Sequence, residues 1–244
     1  MNILGHLFNK STPAEDQAGK MSALYGRFLR PGDLCFDIGA NVGSRLRVFR
    51  RLGCRVIALE PQESCYSALQ RQFGADPAVV LVQKAAAASA TELEMLIANA
   101  HTISSLSPEW IRRVRESGRF ADYQWNDRQT VQTTTLDALM EVYGAPRFIK
   151  IDVEGFEAEV LSGLSRPVPY LSFEWTPEYT IAMEECIARL ESIGTIECAY
   201  SSEESMELTT WVSPDALRQV LKPMESDNRT FGDIYVRYPA MLKG

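Results

Sequence analysis

Two short segments carry the residue types from which a nucleotide-dependent reaction could be built. In Phe36-Asp37-Ile38-Gly39-Ala40-Asn41-Val42-Gly43, an apolar strand pattern ends in an acid, turns on Gly39 and enters a helical pattern near Gly43. Glycine at such a turn adopts positive φ and lets backbone approach a ligand closely. The spacing is G-x-x-x-G rather than the G-x-G-x-x-G of dinucleotide pyrophosphate sites, so no pyrophosphate fingerprint is present. A plain strand–helix turn is the other reading of the two glycines. Glu60, which closes the next strand pattern in Ala58-Leu59-Glu60-Pro61, favours a ligand. A carboxylate outside the end of the second strand can accept two hydrogen bonds from ribose hydroxyls.

The second segment is the strand pattern at 147–153, which runs into Glu154-Gly155-Phe156-Glu157. Strand alternation predicts Lys150, Asp152 and Glu154 on one face while the strand lasts. A carboxylate within an apolar strand needs a partner or a task, which singles out Asp152. Glu154, Glu157 and Glu159 also suit the first turn of the following helix, where negative charge is favoured. Glu174, at the end of the next apolar run, is either an acceptor contact or part of a helix start before Pro177. His101 lies in a polar stretch close to Ser104 and Ser105, and its side chain suits proton transfer near neutral pH.

The elements that position these residues follow from periodicity. Short apolar runs at 34–38, 56–59, 79–82, 148–153 and 168–173 read as strands, and helical patterns at 42–52 and 64–73 alternate with the first three. Near-continuous apolar strands alternating with helices predict an open, largely parallel α/β sheet covered on both faces. The rhythm breaks at about 99–130, where an extra strand at 92–98 is followed by a polar stretch, a helix at 108–117 opened by Ser107 and Pro108, and a loop at 118–129. Such an insertion forms a wall or lid over a ligand site. Helices are further predicted at 136–143, 177–193 and 214–221, and strands at 130–134, 195–200 and 233–238. The expected organisation is an N-terminal helical extension over residues 1–30 and a single domain over 31–244.

Composition narrows the function classes. The chain has 244 residues with 25 Lys and Arg against 32 Asp and Glu, a net charge of −7, and 45% hydrophobic residues. These are globular values, and the acidic balance argues against nucleic acid as the partner. No apolar run approaches a membrane span, and the N-terminal apolar patch is too short for a signal peptide, so a cytoplasmic protein is expected. Five cysteines without a CxxC pair and only two histidines give neither a disulfide framework nor a His/Cys metal site. No metal is expected. Arginines at 45, 47, 50, 51 and 55 and at 112, 113 and 115 read as solvated faces, or else as attractors of an anionic acceptor. Trp110 and Trp125 are packing anchors or stacking platforms.

With these residues in view, DIGANVG, ALEP, HTISSLS, TTTLD and above all FIKIDVEGFEAEVLSGL resemble the FkbM family of S-adenosylmethionine-dependent methyltransferases. The resemblance runs from about residue 30 to 171, and more weakly through Phe231-Gly232-Asp233-Ile234-Tyr235. It implies a class I methyltransferase Rossmann-like fold, with a seven-stranded mostly parallel sheet and helices on both faces. It also implies S-adenosyl-L-methionine as cofactor and methyl transfer to a hydroxyl of a small molecule or carbohydrate. By resemblance, the loop bearing Asp37, Gly39, Asn41 and Gly43 holds the methionine moiety and Glu60 the ribose. Adenine lies against Pro61, Gln62 and Ala85, and Asp152 lines the reactive end. Asp152, Glu154 and His101 are the candidate bases. Relatives often have Thr just after the second glycine, where this chain has Ser44-Arg45-Leu46. That departure supports the alternative of a nucleotide-binding module without catalysis; an NAD-dependent oxidoreductase is a third reading, disfavoured by the missing third glycine.

Overall fold

The computed structural model describes residues 13–203 and 205–242. Helix α1 (Pro13–Tyr25) precedes an alternation of β1 (Leu34–Ile38), α2 (Ser44–Arg51), β2 (Arg55–Leu59), α3 (Glu63–Phe73) and β3 (Val79–Val82). Next come β4 (Ala85–Ala86), β5 (Glu92–Ile97), α4 (Pro108–Glu116), β6 (Asp127–Thr134) and α5 (Leu136–Tyr143). The chain then returns to β7 (Phe148–Ile151), α6 (Glu157–Ser162), β8 (Tyr170–Trp175), α7 (Thr180–Ile193), β9 (Glu197–Ser202), α8 (Pro214–Leu221) and β10 (Gly232–Arg237).

Seven strands form one sheet in the order β3-β2-β1-β7-β8-β10-β9. Neighbours from β3 to β8 pair in parallel, and β10 runs antiparallel to both β8 and β9. This is the class I methyltransferase architecture. Strand alternation divides the core into two layers. Phe36, Ile38, Ile57, Leu59, Ile149, Ile151 and Phe173 pack on one side with residues of α5, α6, α7 and α8. Cys35, Val56, Ala58, Phe148 and Tyr235 pack on the other with α1, α2 and α3. Both faces of the sheet are therefore dry, which is why the strands read as continuous apolar runs.

The residues expected as an N-terminal extension lie outside the described part up to position 12. From Pro13 onward they form α1, whose Met21, Leu24 and Tyr25 are buried in the second layer. The insertion contributes a second, three-stranded sheet in the order β4-β6-β5. Its pairing starts at Asp127, inside the stretch expected as loop, because Ile97 and Asp127 are already in register. No helix among the described residues is long and apolar enough to cross a membrane.

The end of β7 limits how far its alternation runs. Strand β7 stops at Ile151, and Glu154 takes a left-handed backbone (φ 55°), so alternation does not carry Glu154 onto the face of Lys150. Lys150 is fully buried, with Nζ 2.7 Å from Asp233 Oδ1 and 3.4 Å from Asp152 Oδ2. Burial alone would favour a neutral amine, but Asp152 and Asp233 outweigh it and hold the ammonium above its ordinary range. Replacing Lys150 by Met leaves Asp233 buried without its partner. Lys150→Met is expected to destabilise by about 3–5 kcal/mol in urea unfolding, and Lys150→Met/Asp233→Asn by clearly less.

Candidate active site

The carboxyl ends of β1, β2, β7 and β8 open onto a cleft of about 300 Å³. Ala85, Ala86 and Met95 of the small sheet form a second wall, and residues 101–106 of the insertion a third. Strand order reverses between β1 and β7, whose connections leave on opposite sides, and a ligand crevice opens at that switch point.

The loop after β1 is shaped by three left-handed residues, Gly39 (φ 81°), Asn41 (φ 49°) and Gly43 (φ 86°). At Gly39 a Cβ would sit 1.9 Å from the Asp152 carbonyl oxygen, so only glycine lets the two loops cross. Asn41 tolerates its conformation, and its Oδ1 accepts a hydrogen bond from Val42 N–H at 2.8 Å. Gly43 is not among the cleft-lining residues; a Cβ there would strike Phe73 and Leu69 of α3, so this glycine serves helix packing. Helix α2 starts without a side-chain cap, with Val42, Ser44 and Arg45 on the cleft.

Asp37, Gly39, Asn41, Glu60, Pro61, Gln62, Ala85, His101, Asp152 and Glu154 all line the cleft. Glu60 is 2% exposed, and its two oxygens accept the backbone N–H groups of Asn41 and Gln62, each at 2.8 Å. Burial pushes its carboxyl up to about 7 against those hydrogen bonds. Burial likewise raises Asp37 to about 7, although Arg45 and Lys150 pull it down. Asp37 Oδ2 is buried without a hydrogen-bond partner. His101 exposes its side chain at the rim and meets the cofactor loops through its backbone carbonyl.

At the far end, Asp152, Glu154 and Glu174 bring one oxygen each within 4.8 Å of one another. This is a carboxylate grouping, not the His/Cys set against which the sequence argued. Burial, and then repulsion from Glu174 and Asp152, hold Glu154 well above the ordinary carboxylate range; Glu174 is raised by burial and by Asp152. The loop that carries Glu154 is braced from behind. Glu157 Oε1 accepts the N–H groups of Val153 (3.1 Å) and Gly155 (3.3 Å), and Ser105 Oγ donates to the Glu154 carbonyl at 2.7 Å. Met95, Thr102, Ser104, Leu106 and Phe156 also line the cleft and were not singled out from the sequence. Met95 is the buried member of the β5 pattern, the one signal that marked it.

Neither arginine run is a cleft feature, Arg45 apart. Arg50 pairs with Asp76, Arg47 donates to Gln72, and Arg112 and Arg113 pair with Glu109. Trp110 and Trp125 are anchors. Trp110 is buried with Ile103, Ile111 and Val114, and Trp125 packs against that cluster.

Fold and cleft together define a nucleoside-binding protein of the class I methyltransferase type. Residues 37–192 match the Methyltransferase FkbM domain, and the chain belongs to that family of S-adenosylmethionine-dependent methyltransferases. No protein of curated function matches the sequence. Among solved structures, it is similar to an O-methyltransferase from Bacillus cereus in complex with SAH (12% identity, 94% of this chain and 83% of that one, TM-score 0.48). A putative O-methyltransferase from Klebsiella pneumoniae is similar at 9% identity (95% and 91% covered, TM-score 0.48). Precorrin-6y C5,15-methyltransferase from Geobacter metallireducens is similar at 12% identity (97% and 92% covered, TM-score 0.46).

The donor set fits S-adenosylmethionine. The unpartnered Asp37 Oδ2 needs a donor such as the ammonium of the methionine moiety, and the uncapped start of α2 suits its carboxylate. Glu60 keeps lone pairs for ribose hydroxyls beyond its two backbone bonds. Glu60→Ala is expected to weaken S-adenosylhomocysteine binding by about 1–3 kcal/mol in calorimetry without unfolding the chain. Ribose hydroxyls donate best to the ionised carboxylate, so affinity is expected to rise as pH increases through about 7. Glu60→Gln should flatten that rise between pH 6 and pH 8, leaving the share contributed by Asp37.

Proposed function

We propose that the chain is a cytoplasmic O-methyltransferase whose acceptor is a hydroxyl group of a neutral small molecule or carbohydrate. The observation that carries this reading is the meeting of Asp152, Glu154 and Glu174 at one end of the cleft. S-adenosylmethionine supplies an electrophilic methyl group when bound. A hydroxyl oxygen is a weak nucleophile until its proton is taken, so the chain's own task is to hold the acceptor and receive that proton.

Glu154 and Glu174 suit the task as a pair. Burial and repulsion from neighbouring acids raise both well above the ordinary carboxylate range, and the member of the pair that ionises accepts the acceptor's proton. Asp152, paired with Lys150, sits between them and the Gly39 turn, where it can orient the acceptor or the cofactor. His101 belongs to the rim, and a shuttle to solvent is the role its exposed side chain supports. A neutral acceptor is favoured over an anionic one, because five carboxyl groups (Asp37, Glu60, Asp152, Glu154 and Glu174) face the cleft against Arg45 and Lys84. The cytoplasmic reading is supported by five cysteines that are all free and buried.

Nothing in the site favours the non-catalytic alternative. Arg45, whose identity prompted it, lines the cleft and lowers the proton affinity of Asp37. The test is release of S-adenosylhomocysteine from S-adenosylmethionine across sugars, aliphatic alcohols, phenols and amines. Hydroxylated acceptors are expected to react, with kcat rising with pH as the Glu154–Glu174 pair loses its proton. Glu154→Gln should lower kcat by about 10²–10⁴ while S-adenosylhomocysteine affinity is retained. Turnover confined to amines would overturn the O-methyl reading, and an unchanged kcat would remove Glu154 from it.

A further inference from the structure

The two residues whose backbone N–H groups hold Glu60 also reach, with their side chains, for a common acceptor. Gln62 Nε2 donates to the His101 carbonyl at 3.0 Å and Asn41 Nδ2 to the same oxygen at 3.3 Å. One amide comes from the loop after β1 and the other from the loop after β2. One peptide group of the insertion is thus tied to both loops, and Gln129 adds a separate tie to the loop after β2, its Nε2 donating to the Pro61 carbonyl at 2.7 Å.

The chain on either side of His101 is anchored elsewhere. Asn99 exchanges hydrogen bonds with Gln124, by N–H to carbonyl at 3.0 Å and by Gln124 N–H to Asn99 Oδ1 at 3.2 Å. The Ile103 carbonyl accepts from Trp125 Nε1 at 2.7 Å, and Ser104 Oγ accepts from Ala98 N–H at 3.1 Å. Ser105 and Leu96 exchange both backbone hydrogen bonds. Ile103 and Ser104 are buried, whereas His101 and Thr102 are exposed and line the cleft. A short span is therefore fixed at its two ends and lies across the cleft between them. This span borders the cleft of roughly 300 Å³ through His101 and Thr102.

We propose that residues 99–104 are a strap over the cofactor, latched shut by Gln62 and Asn41 through the His101 carbonyl. This rests on the cleft being the S-adenosylmethionine site. S-adenosylmethionine enters, and S-adenosylhomocysteine leaves, when the two amides release that carbonyl. Gln62 and Asn41 are positioning residues that act through the strap, in contrast to Glu60, which contacts the ribose itself. The arrangement is self-consistent, because Glu60 sets both amides by holding the backbones that bear them. Trp125, which donates to the strap at Ile103, is a built-in fluorescent reporter.

The test is stopped-flow binding of S-adenosylhomocysteine, followed by tryptophan fluorescence. Gln62→Met keeps the shape of the buried side chain and removes its donors. It is expected to raise association and dissociation rates together, each by roughly tenfold, the scale of one hydrogen bond lost from the closed state. The dissociation constant should change less than either rate. Asn41→Asp keeps the oxygen that accepts Val42 N–H and turns the donor into a carboxylate oxygen that repels the His101 carbonyl, so it should move both rates the same way. It also serves should Gln62→Met fail to fold by circular dichroism. Faster dissociation with unchanged association would make these ordinary ligand contacts and overturn the strap, as would two unchanged rates. Failure of the unaltered chain to bind S-adenosylhomocysteine would overturn the cofactor cleft itself, and it is read before any variant is compared.

Discussion

The backbones of Gly39 and Asp152 pass so close that a single methyl group on Gly39 would lie 1.9 Å from the Asp152 carbonyl oxygen. This crossing joins the two central parallel strands just beyond their ends, where Asp152 N–H still donates to the Ile38 carbonyl. From it the first connection leads toward Glu60 and the second toward Glu154, at the two ends of the cleft. Every distance between the cofactor loops and the carboxylates is measured from this one contact. Glycine at 39 is therefore a requirement of backbone against backbone, with no side chain able to yield.

Beneath the crossing lies an unusual concentration of buried polar groups. Lys150 is enclosed on the α1/α2 side of the sheet with Asp37, Ser172, Asp233 and Tyr235, and among the described residues the Ser172 hydroxyl has no hydrogen-bond partner there. An ammonium in this setting persists because carboxylates surround it, and its removal exposes them to the low-dielectric interior. The positive charge in turn limits how far the acids above it can be raised: it lowers Asp37 and Glu154 while burial raises them. The chemistry at the strand ends and the stability of the sheet are thus set by the same buried charge.

Much of this was legible in the sequence, for identifiable reasons. Strands buried on both faces announce themselves as apolar runs, and the helices predicted at 136–143 and 214–221 coincide with α5 and α8. Asp37, Glu60 and Asp152 were legible because a carboxylate at the end of an apolar run is drawn out of water and must meet a partner or a ligand there. The point at which the alternation of β7 stops was not legible, because periodicity cannot register a left-handed residue such as Glu154 just beyond a strand end. That Gly43 also answers to packing was not legible, because the neighbour that demands a glycine there, Phe73 of α3, is distant in sequence. The strap was illegible for a different reason. His101 drew notice for its imidazole, whereas the atom that engages the cofactor loops is its carbonyl, which every residue possesses.

The seat of Gly155 against Trp110 carries a consequence for how such a protein can change. A Cβ at Gly155 would fall 2.3–2.5 Å from the Trp110 side chain, so helix α4 presses its indole into the very bend that presents Glu154. The segment that walls one side of the cleft is thereby also a mould for the loop that carries Glu154. It cannot be exchanged as a cassette for the corresponding segment of a distant relative. A new acceptor preference is more readily reached by altering residues at the free rim, such as Thr102, than by replacing the wall that bears them.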